Sequence, residues 1–364
     1  MSLLAAVKFV SNAQRKAGIT IDTHAIARYG YLVAFDGVLA AGCPIVETDL
    51  NCCPHIEKLK LALEQVGTEY QITQNEDSLF LRSGEFSAYI PLAEPSQLTV
   101  AVPDAPVAAL NEAFRVAVQV CGSLVKDSAQ TLMQSCIQLD NGFAISTSGS
   151  VIFQYWHGCS MPPALLIPKR FADALNKIKK PLASFGFSKK TFTVHFDDNS
   201  WLRTNLYQEK ILSIESKLEK SDETIQFPPE FFEQASLVAK WSENGDVYLK
   251  DGLIHSHNPN THPTCASYRS CEMELLPNNL IYNAAAIAAI CKYAYSYDSS
   301  FGNLTMFYGD NLRGAIAHKQ LYPVVTEYGH GFQRDESERE PWYCSSGHSE
   351  FMPDCADCDA EIPF

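Results

Sequence analysis

Gly30-Tyr-Leu-Val-Ala-Phe-Asp-Gly-Val-Leu-Ala40 reads as a strand, a tight turn and a second strand, and this pattern recurs twice further along the chain. It returns as Asn141-Gly-Phe-Ala-Ile-Ser-Thr-Ser-Gly-Ser-Val-Ile152 and as Asp246-Val-Tyr-Leu-Lys-Asp-Gly-Leu-Ile-His-Ser256. In each copy a helix precedes the hairpin, and a second helix and further strands follow it. Three copies of one unit indicate a fold that is built by packing similar repeats together, and they argue against a single active-site cleft.

The three copies divide the 364 residues into three units, 1–103, 104–226 and 227–326, followed by an acidic tail at 327–364. Each unit has the order helix, strands, helix, strands. Helices that cover one face of antiparallel sheets make an α+β layer architecture. The sequence therefore predicts an α+β fold of three repeated domains.

The second helices of the first two units each have an apolar face. In the first unit, Asn51 can cap a helix that turns Ile56 and Leu59 inward. In the second unit, Pro168 favours a helix start, and Phe171 and Leu175 share one face of that helix. At about 100° per residue, the opposite face carries Lys169, Arg170, Lys177 and Lys180.

Composition and charge limit the class of protein. No apolar stretch reaches the roughly 20 residues that a membrane-spanning helix needs, and no basic segment precedes the apolar N-terminus as in a secretion signal. The twelve cysteines fit core thiols in a reducing cytoplasm, where we expect the protein to be. The net charge is −14, of which −8 lies in residues 327–364. Residues 1–326 are therefore mildly acidic and could bind DNA only through basic residues gathered on one surface.

Three segments carry a resemblance to a known family. They are Leu79–Ser87, Gly142–Ile152 and Leu166–Leu175, and they occur in the right order at domain-sized spacing. With them the chain resembles, over residues 2–326, the bacterial DNA sliding clamps, the three-domain β subunit of the replicative polymerase. The resemblance implies a head-to-tail homodimer that closes as a ring of six domains, with sheets outside and helices around a central hole.

The resemblance also implies a role and partners. A sliding clamp is a processivity factor without catalytic activity, which encircles double-stranded DNA and tethers the DNA polymerase after a clamp loader has placed it. Lys and Arg facing phosphates attract a duplex without reading its bases. The basic residues expected to line the hole are Lys8, Arg15, Lys16, Lys58, Arg115, Lys169, Arg170, Lys177, Lys180, Lys240 and Lys292. The alternative for each helix is an ordinary solvated face.

Family clamps bind short peptides of their partners in an apolar pocket between the second and third domains. The positions that match this pocket are Thr147, Gly149, Val151, Ile152, Ile214, Leu218, Tyr322 and Pro323. Ser148 and Ser150 stand where the family has Asp and His, which puts the peptide preference in question. The alternative is that these residues only form a turn and its packing.

The tail lies outside the family pattern. Cys344, His348, Cys355 and Cys358 could hold a structural zinc ion, or they could be free thiols in a disordered tail; no other cofactor is expected. The end resembles the acidic tip of bacterial single-stranded DNA-binding proteins, with the residues Asp359, Glu361, Ile362, Pro363 and Phe364. Such a tip would bind host replication or repair proteins. It could instead be a chance apolar end, or fold back into the chain's own peptide pocket.

No enzymatic motif competes with these interpretations. The sequence lacks a phosphate-binding loop, a Gly-x-Gly-x-x-Gly fingerprint after a strand and a His-Glu-x-x-His metal motif. His157 and Cys159 could form a nucleophile pair, but no third partner is evident. The leading hypothesis is a phage- or plasmid-like clamp. The alternatives are a non-ring adaptor or inhibitor that recruits host proteins through its tip, and a single-stranded DNA-binding protein.

Overall fold

The computed structural model describes residues 1–321, except for 16–17, 68, 128, 130, 209–217, 219–223, 227–230, 243–244, 261–266, 270–278 and 291–292. By its internal contacts the chain divides into a compact unit, Met1–Tyr322, and a second unit, Pro323–Phe364. The fold described below is that of the first unit.

The first repeat begins with a helix that continues as a 3-10 turn and ends with a three-stranded meander. Its elements are α1 (Leu3–Val10), α2 (Thr20–Thr23), β1 (Ala25–Arg28), β2 (Tyr31–Phe35), β3 (Leu39–Pro44), α3 (Ile56–Val66), β4 (Gln71–Gln74), β5 (Ser78–Ser83) and β6 (Phe86–Pro91). A connecting segment with a 3-10 turn at Pro95–Gln97 leads to the second repeat.

The second repeat follows the order of the first, with two additional strands, β7 and β11. Its elements are β7 (Ala108–Ala109), α4 (Glu112–Gly122), α5 (Leu132–Ser135), β8 (Cys136–Asp140), β9 (Phe143–Thr147), β10 (Val151–Trp156), β11 (Leu165–Pro168), α6 (Lys169–Lys177), β12 (Leu182–Phe187), β13 (Thr191–Phe196) and β14 (Trp201–Asn205).

The third repeat completes the compact unit. Its elements are β15 (Ile225–Gln226), α7 (Phe231–Ala239), β16 (Asp246–Lys250), β17 (Leu253–His255), β18 (Ser267–Arg269), β19 (Leu280–Asn283), α8 (Ala284–Ile290), β20 (Ser296–Phe301), β21 (Leu304–Tyr308), β22 (Leu312–Ala317) and β23 (Lys319–Gln320).

The sheets do not stop at the boundaries between repeats. A seven-stranded sheet, β1-β2-β3-β14-β13-β12-β7, joins the first repeat to the second, and an eight-stranded sheet, β11-β8-β9-β10-β22-β21-β20-β15, joins the second to the third. The joints are antiparallel pairs, with Gly42 opposite Trp201 and Ile152 opposite Ala315. A three-stranded sheet, β4-β5-β6, and a five-stranded sheet, β18-β17-β16-β19-β23, remain at the two ends of this series.

Helices pack in pairs against one side of the sheets: α1 with α3, α4 with α6, and α7 with α8. Helix α4 shows why, because Phe114, Ala117, Val118 and Cys121 recur at helical spacing and are all buried. Asn111 caps this helix by accepting a hydrogen bond from the Phe114 N–H at 3.0 Å. Most of the buried apolar side chains of the three repeats belong to one continuous core.

The predicted α+β fold, with three repeated helix-and-sheet domains, is therefore confirmed. Two details differ from the sequence prediction. Residues 225–226 were placed in the second unit, but as β15 they pair with β20 of the third repeat. Helix α3 begins at Ile56 and not after Asn51, because His55 takes the cap position and its Nδ1 faces the Lys58 N–H at 3.5 Å.

Candidate functional site

The candidate site consists of the basic residues on the helices and an apolar cluster at the second joint. Eleven basic residues were predicted to face DNA, and five of them are exposed on or next to helices in the part of the chain that the structure describes. They are Lys8, Arg15, Lys58, Lys177 and Lys240. Lys16 and Lys292 lie outside the described residues.

Arg115 does not offer its charge to solvent. Its guanidinium donates hydrogen bonds to the carbonyl oxygens of Leu175, Ile178 and Lys180 and to the Glu112 carboxylate, and the side chain is only 11% exposed. These carbonyls lie at and after the C-terminal end of α6, where a helix lacks its own donors. The prediction that Arg115 faces DNA is wrong, because this side chain caps a neighbouring helix.

Three further basic residues predicted to face DNA, Lys169 and Arg170 on α6 and Lys180 after it, are held in ion pairs. Lys169 pairs with Asp173 at 2.8 Å, one turn further along the same helix. Arg170 pairs with the buried carboxylate of Asp36, which Arg15 also approaches at 3.8 Å. Each of the two α6 side chains keeps only about a quarter of its surface exposed, so a part of their charge is neutralised inside the protein.

Lys180 also works mainly within the fold. Its Nζ lies 2.7 Å from the Asp198 carboxylate, 3.0 Å from the Ser200 hydroxyl and 4.1 Å from the centre of the Phe9 ring. Phe9 belongs to α1 of the first repeat, so Lys180 joins two repeats. Of the predicted α6 stripe, Lys177 alone is exposed, and the nearby Lys179, which was not among the predicted residues, is exposed as well.

Two residues of the predicted peptide pocket, Ile152 and Leu218, lie together in the structure. Ile152 packs with Leu218, Met306 and Ala315 in a small apolar cluster, separate from the main core, which Phe301 and Tyr308 flank. This set is called the junction cluster below. Met306 and Ala315 were missed, because only strand pairing over a long sequence distance, β10 with β22 and β22 with β21, brings them there.

The turn before Ile152 is shaped by its own hydrogen bonds. The Thr147 hydroxyl donates to the Val151 carbonyl at 2.8 Å and accepts from the Gly149 N–H at 3.0 Å. Gly149 has φ = 97°, a value that side-chain-bearing residues rarely adopt. Val151 is 3% exposed and belongs to the main core, because adjacent strand residues face opposite sides. Its assignment to the pocket is therefore wrong.

Ile214, Tyr322 and Pro323 of the predicted pocket lie outside the described residues. So do the candidate zinc ligands Cys344, His348, Cys355 and Cys358, and the tip residues Asp359, Glu361, Ile362, Pro363 and Phe364. Within the described ranges, no group of three or more His, Cys, Asp or Glu side chains is arranged to hold a metal ion. Nor does any helix in them have the length and apolar character to cross a membrane.

His157 and Cys159 do not form a nucleophile pair. Both are buried, and the Cys159 N–H donates to His157 Nδ1 at 3.1 Å, which fixes the local turn. Burial lowers the pKa of His157 to about 4 and raises the pKa of the Cys159 thiol. A thiol with a raised pKa is a poor nucleophile near neutral pH, so the pair has a structural role.

Solved structures of similar fold share this arrangement of repeats. The Helicobacter pylori beta clamp bound to a DNA ligase peptide matches with a TM-score of 0.70 at 12% identity, over 88% of this chain and 98% of that chain. The DNA polymerase III subunit beta of Pseudomonas aeruginosa matches with a TM-score of 0.71 at 12% identity, over the same shares of both chains. This chain has the sliding-clamp fold.

A putative DNA polymerase III beta subunit from Eubacterium rectale is also similar, with a TM-score of 0.68 at 11% identity, over 87% of this chain and 96% of that chain. No protein-family model matches the chain, and no curated protein matches its sequence. At these identities the sliding-clamp fold is what the likeness establishes, and the function must be argued from the residues.

Proposed function

We propose that this protein is a DNA polymerase processivity factor, a non-catalytic sliding clamp that closes as a homodimeric ring around double-stranded DNA. It would tether the polymerase and other replication proteins in the cytoplasm of a bacterium or of an infected host cell. One observation carries this proposal: among the described residues, each of the two end sheets has an edge strand that is equivalent to a strand already joined inside the chain.

The equivalence follows from the strand order. Each repeat has a three-stranded meander before its second long helix and another after it. At both internal joints, the last strand of the first meander pairs with the last strand of the next repeat's second meander, as β3 does with β14 and β10 with β22. The corresponding strand of the third repeat is β18, and that of the first repeat is β6. Both lie at the edge of their sheets. Pairing β18 with β6 of a second copy repeats the joint head to tail, and two copies would close six repeats into a ring.

The free edge of β6 supports such a pairing. Tyr89 is 69% exposed and Phe86 is 38% exposed on this strand, and the Tyr89 ring lies 4.8 Å from that of Phe80. Exposed strand edges with large apolar residues are liable to pair with another chain, and proteins usually protect them. In a ring, the partner's β18 would cover this edge.

The exposed bases on the helices support the DNA part of the proposal. Lys58, Lys177 and Lys240 come from one helix or helix end of each repeat, so each repeat contributes an exposed positive charge. Contacts to phosphates do not depend on sequence, and enclosure by a ring would supply the persistence that weak contacts lack.

The junction cluster supports a docking site for short peptides from the polymerase and the clamp loader, and the H. pylori clamp of similar fold binds a DNA ligase peptide. The tail would add two further functions. Cys344, His348, Cys355 and Cys358 would bind a structural zinc ion, and the Ile-Pro-Phe tip would bind host proteins that recognise single-stranded DNA-binding protein tails. Such borrowing would suit a phage- or plasmid-encoded clamp.

Light scattering followed by retention on nicked circular DNA tests the proposal. We expect the mass of two chains, and DNA that is held while circular and lost when it is cut. A monomer, or binding that is indifferent to linearisation, would overturn the ring and leave the adaptor or inhibitor as the better account. Stronger retention on single strands than on duplex would instead favour a single-stranded DNA-binding protein.

A further inference from the structure

One face of β10 connects the junction cluster to a second groove. Val151, Phe153 and Tyr155 are buried in the main core, so Ile152, Gln154 and Trp156 face the opposite side. At about 3.4 Å per residue, Trp156 lies roughly 13 Å along the strand from Ile152. The distance corresponds to four residues of an extended peptide.

Trp156 forms a wall of this second groove, which has a volume of about 450 Å³. Its side chain is 53% exposed, and its ring lies 6.5 Å from that of Phe143 at an interplanar angle of 33°. The ring also lies over Gly142, where a Cβ atom would approach it to 2.4 Å. Tyr308 lines the groove from β21 of the third repeat. The groove therefore lies at the same joint as the junction cluster.

Arg313 lies between the two apolar sites. It is opposite Gln154 in the β10–β22 register, while Ala315 of the junction cluster is opposite Ile152. Its guanidinium donates to the Leu218 carbonyl at 2.9 Å, and it lines the second groove as well. Trp, Tyr and Arg are the residues that contribute most often to binding energy at protein interfaces.

We propose that a partner peptide held at the junction cluster continues along β10 and places a second large apolar side chain in the Trp156 groove. This inference rests on the proposed peptide-binding function of the junction cluster and specifies its partner more closely. In an extended peptide, residues i, i+2 and i+4 face the same side. Residue i binds at Ile152, an acidic residue i+2 faces Arg313, and residue i+4 packs between Phe143, Trp156 and Tyr308.

The position, the volume and the charge of the groove favour this occupant over an unrelated protein surface. The groove adjoins the junction cluster along one strand, and its volume of about 450 Å³ can hold a large side chain. Among the described residues that line it, one cation, Arg313, lies at the middle of the path, and one acidic residue, Asp310, lies in the turn between β21 and β22. An acidic residue placed beside Arg313 would form a charge-assisted hydrogen bond. The two-site arrangement also distinguishes partners, because a peptide that fills one site alone loses the contacts of the other.

Random 12-residue peptides selected on the whole protein provide the probe. We expect the enriched peptides to contain two large apolar residues four positions apart with Asp or Glu between them. Fluorescence anisotropy should then show a 10- to 30-fold weaker Kd for Trp156→Ala, a size typical of an interface hot spot. Shortening the peptides to the six residues around the Ile152 anchor should remove the difference between the wild type and Trp156→Ala.

Trp241→Ala is the matched control, because Trp241 is 69% exposed near the end of α7, away from the groove, and its removal should leave Kd unchanged. Peptides that need Ile152, as judged by Ile152→Glu, but bind Trp156→Ala normally would overturn this inference and leave the junction cluster intact as a site. Peptides indifferent to Ile152→Glu, or a selection without enrichment, would overturn both the junction cluster and its extension.

Discussion

Arg170 of the second repeat forms an ion pair with Asp36 of the first, and the Asp36 side chain is completely buried. The same carboxylate accepts hydrogen bonds from the backbone N–H groups of Val38 and Leu39, at 3.1 and 2.8 Å, and so shapes the turn between β2 and β3. One acidic side chain therefore fixes a turn and joins two repeats. Arg170, which the sequence predicts to face DNA, therefore contributes to the contact between the first and second repeats.

Removing Asp36 should destabilise the protein strongly. We expect Asp36→Ala to lower the free energy of unfolding by about 3 kcal/mol, because it leaves the Arg170 charge and two backbone donors without their partner. Urea unfolding measures this change. Asp173→Ala is the control, since Asp173 is 45% exposed and the loss of its pair with Lys169 should change the free energy of unfolding by less than about 0.5 kcal/mol. Equal effects of the two variants would contradict the role of Asp36.

The exposed lysines on or next to the protein's helices should control its retention on DNA. Changing Lys58, Lys177 and Lys240 to Glu should release the protein from nicked circular DNA without changing its mass in solution. In the single Lys→Gln variants, the slope of log K against log salt should fall by about 0.9 for each phosphate contact removed. Lys189 and Lys190, exposed in the turn between β12 and β13, are the control, and their change to Glu should leave the slope unaltered. A slope that responds to the control pair alone would contradict the assignment.

Arg115 should behave in the opposite way. Arg115→Gln should lower the free energy of unfolding by about 2 kcal/mol, because the C-terminal carbonyls of α6 lose their donor. The salt dependence of DNA binding should not change. A variant of normal stability that loses DNA would restore Arg115 to the DNA-facing group.

Arg115 and Lys177 show what a sequence can and cannot predict here. Helical periodicity places both on polar faces, and this local property is correct for Lys177. The acceptors of Arg115 are about 60 residues away in sequence, so periodicity carries no information about them. The turn at Gly149 was predictable from another local property, the tolerance of glycine for positive φ. Met306 and Ala315 were not, because the pairing that brings them to Ile152 joins strands more than 150 residues apart.

Ring closure can be tested at β6. Ser83 and Phe86 close a two-residue hairpin and exchange both hydrogen bonds, so the N–H groups of Ser87 and Tyr89 face the free edge. Ser87→Pro should therefore block pairing with a partner strand and yield a folded monomer. Ala88→Pro is the counterpart on the side that faces β5, and it should destabilise the three-stranded sheet itself. A dimeric Ser87→Pro protein in light scattering would exclude closure through this edge.

His157 should make stability depend on pH. Burial lowers its pKa to about 4, so below its ordinary value of 6.5 the unfolded chain binds a proton that the folded chain does not. The free energy of unfolding should thus fall as the pH drops from about 6.5 to about 4, by roughly 3 kcal/mol from this residue. In His157→Asn the side chain can still accept from the Cys159 N–H but does not titrate, so urea unfolding should show a flatter pH dependence over this range. If both proteins lose the same stability between these pH values, another group is responsible.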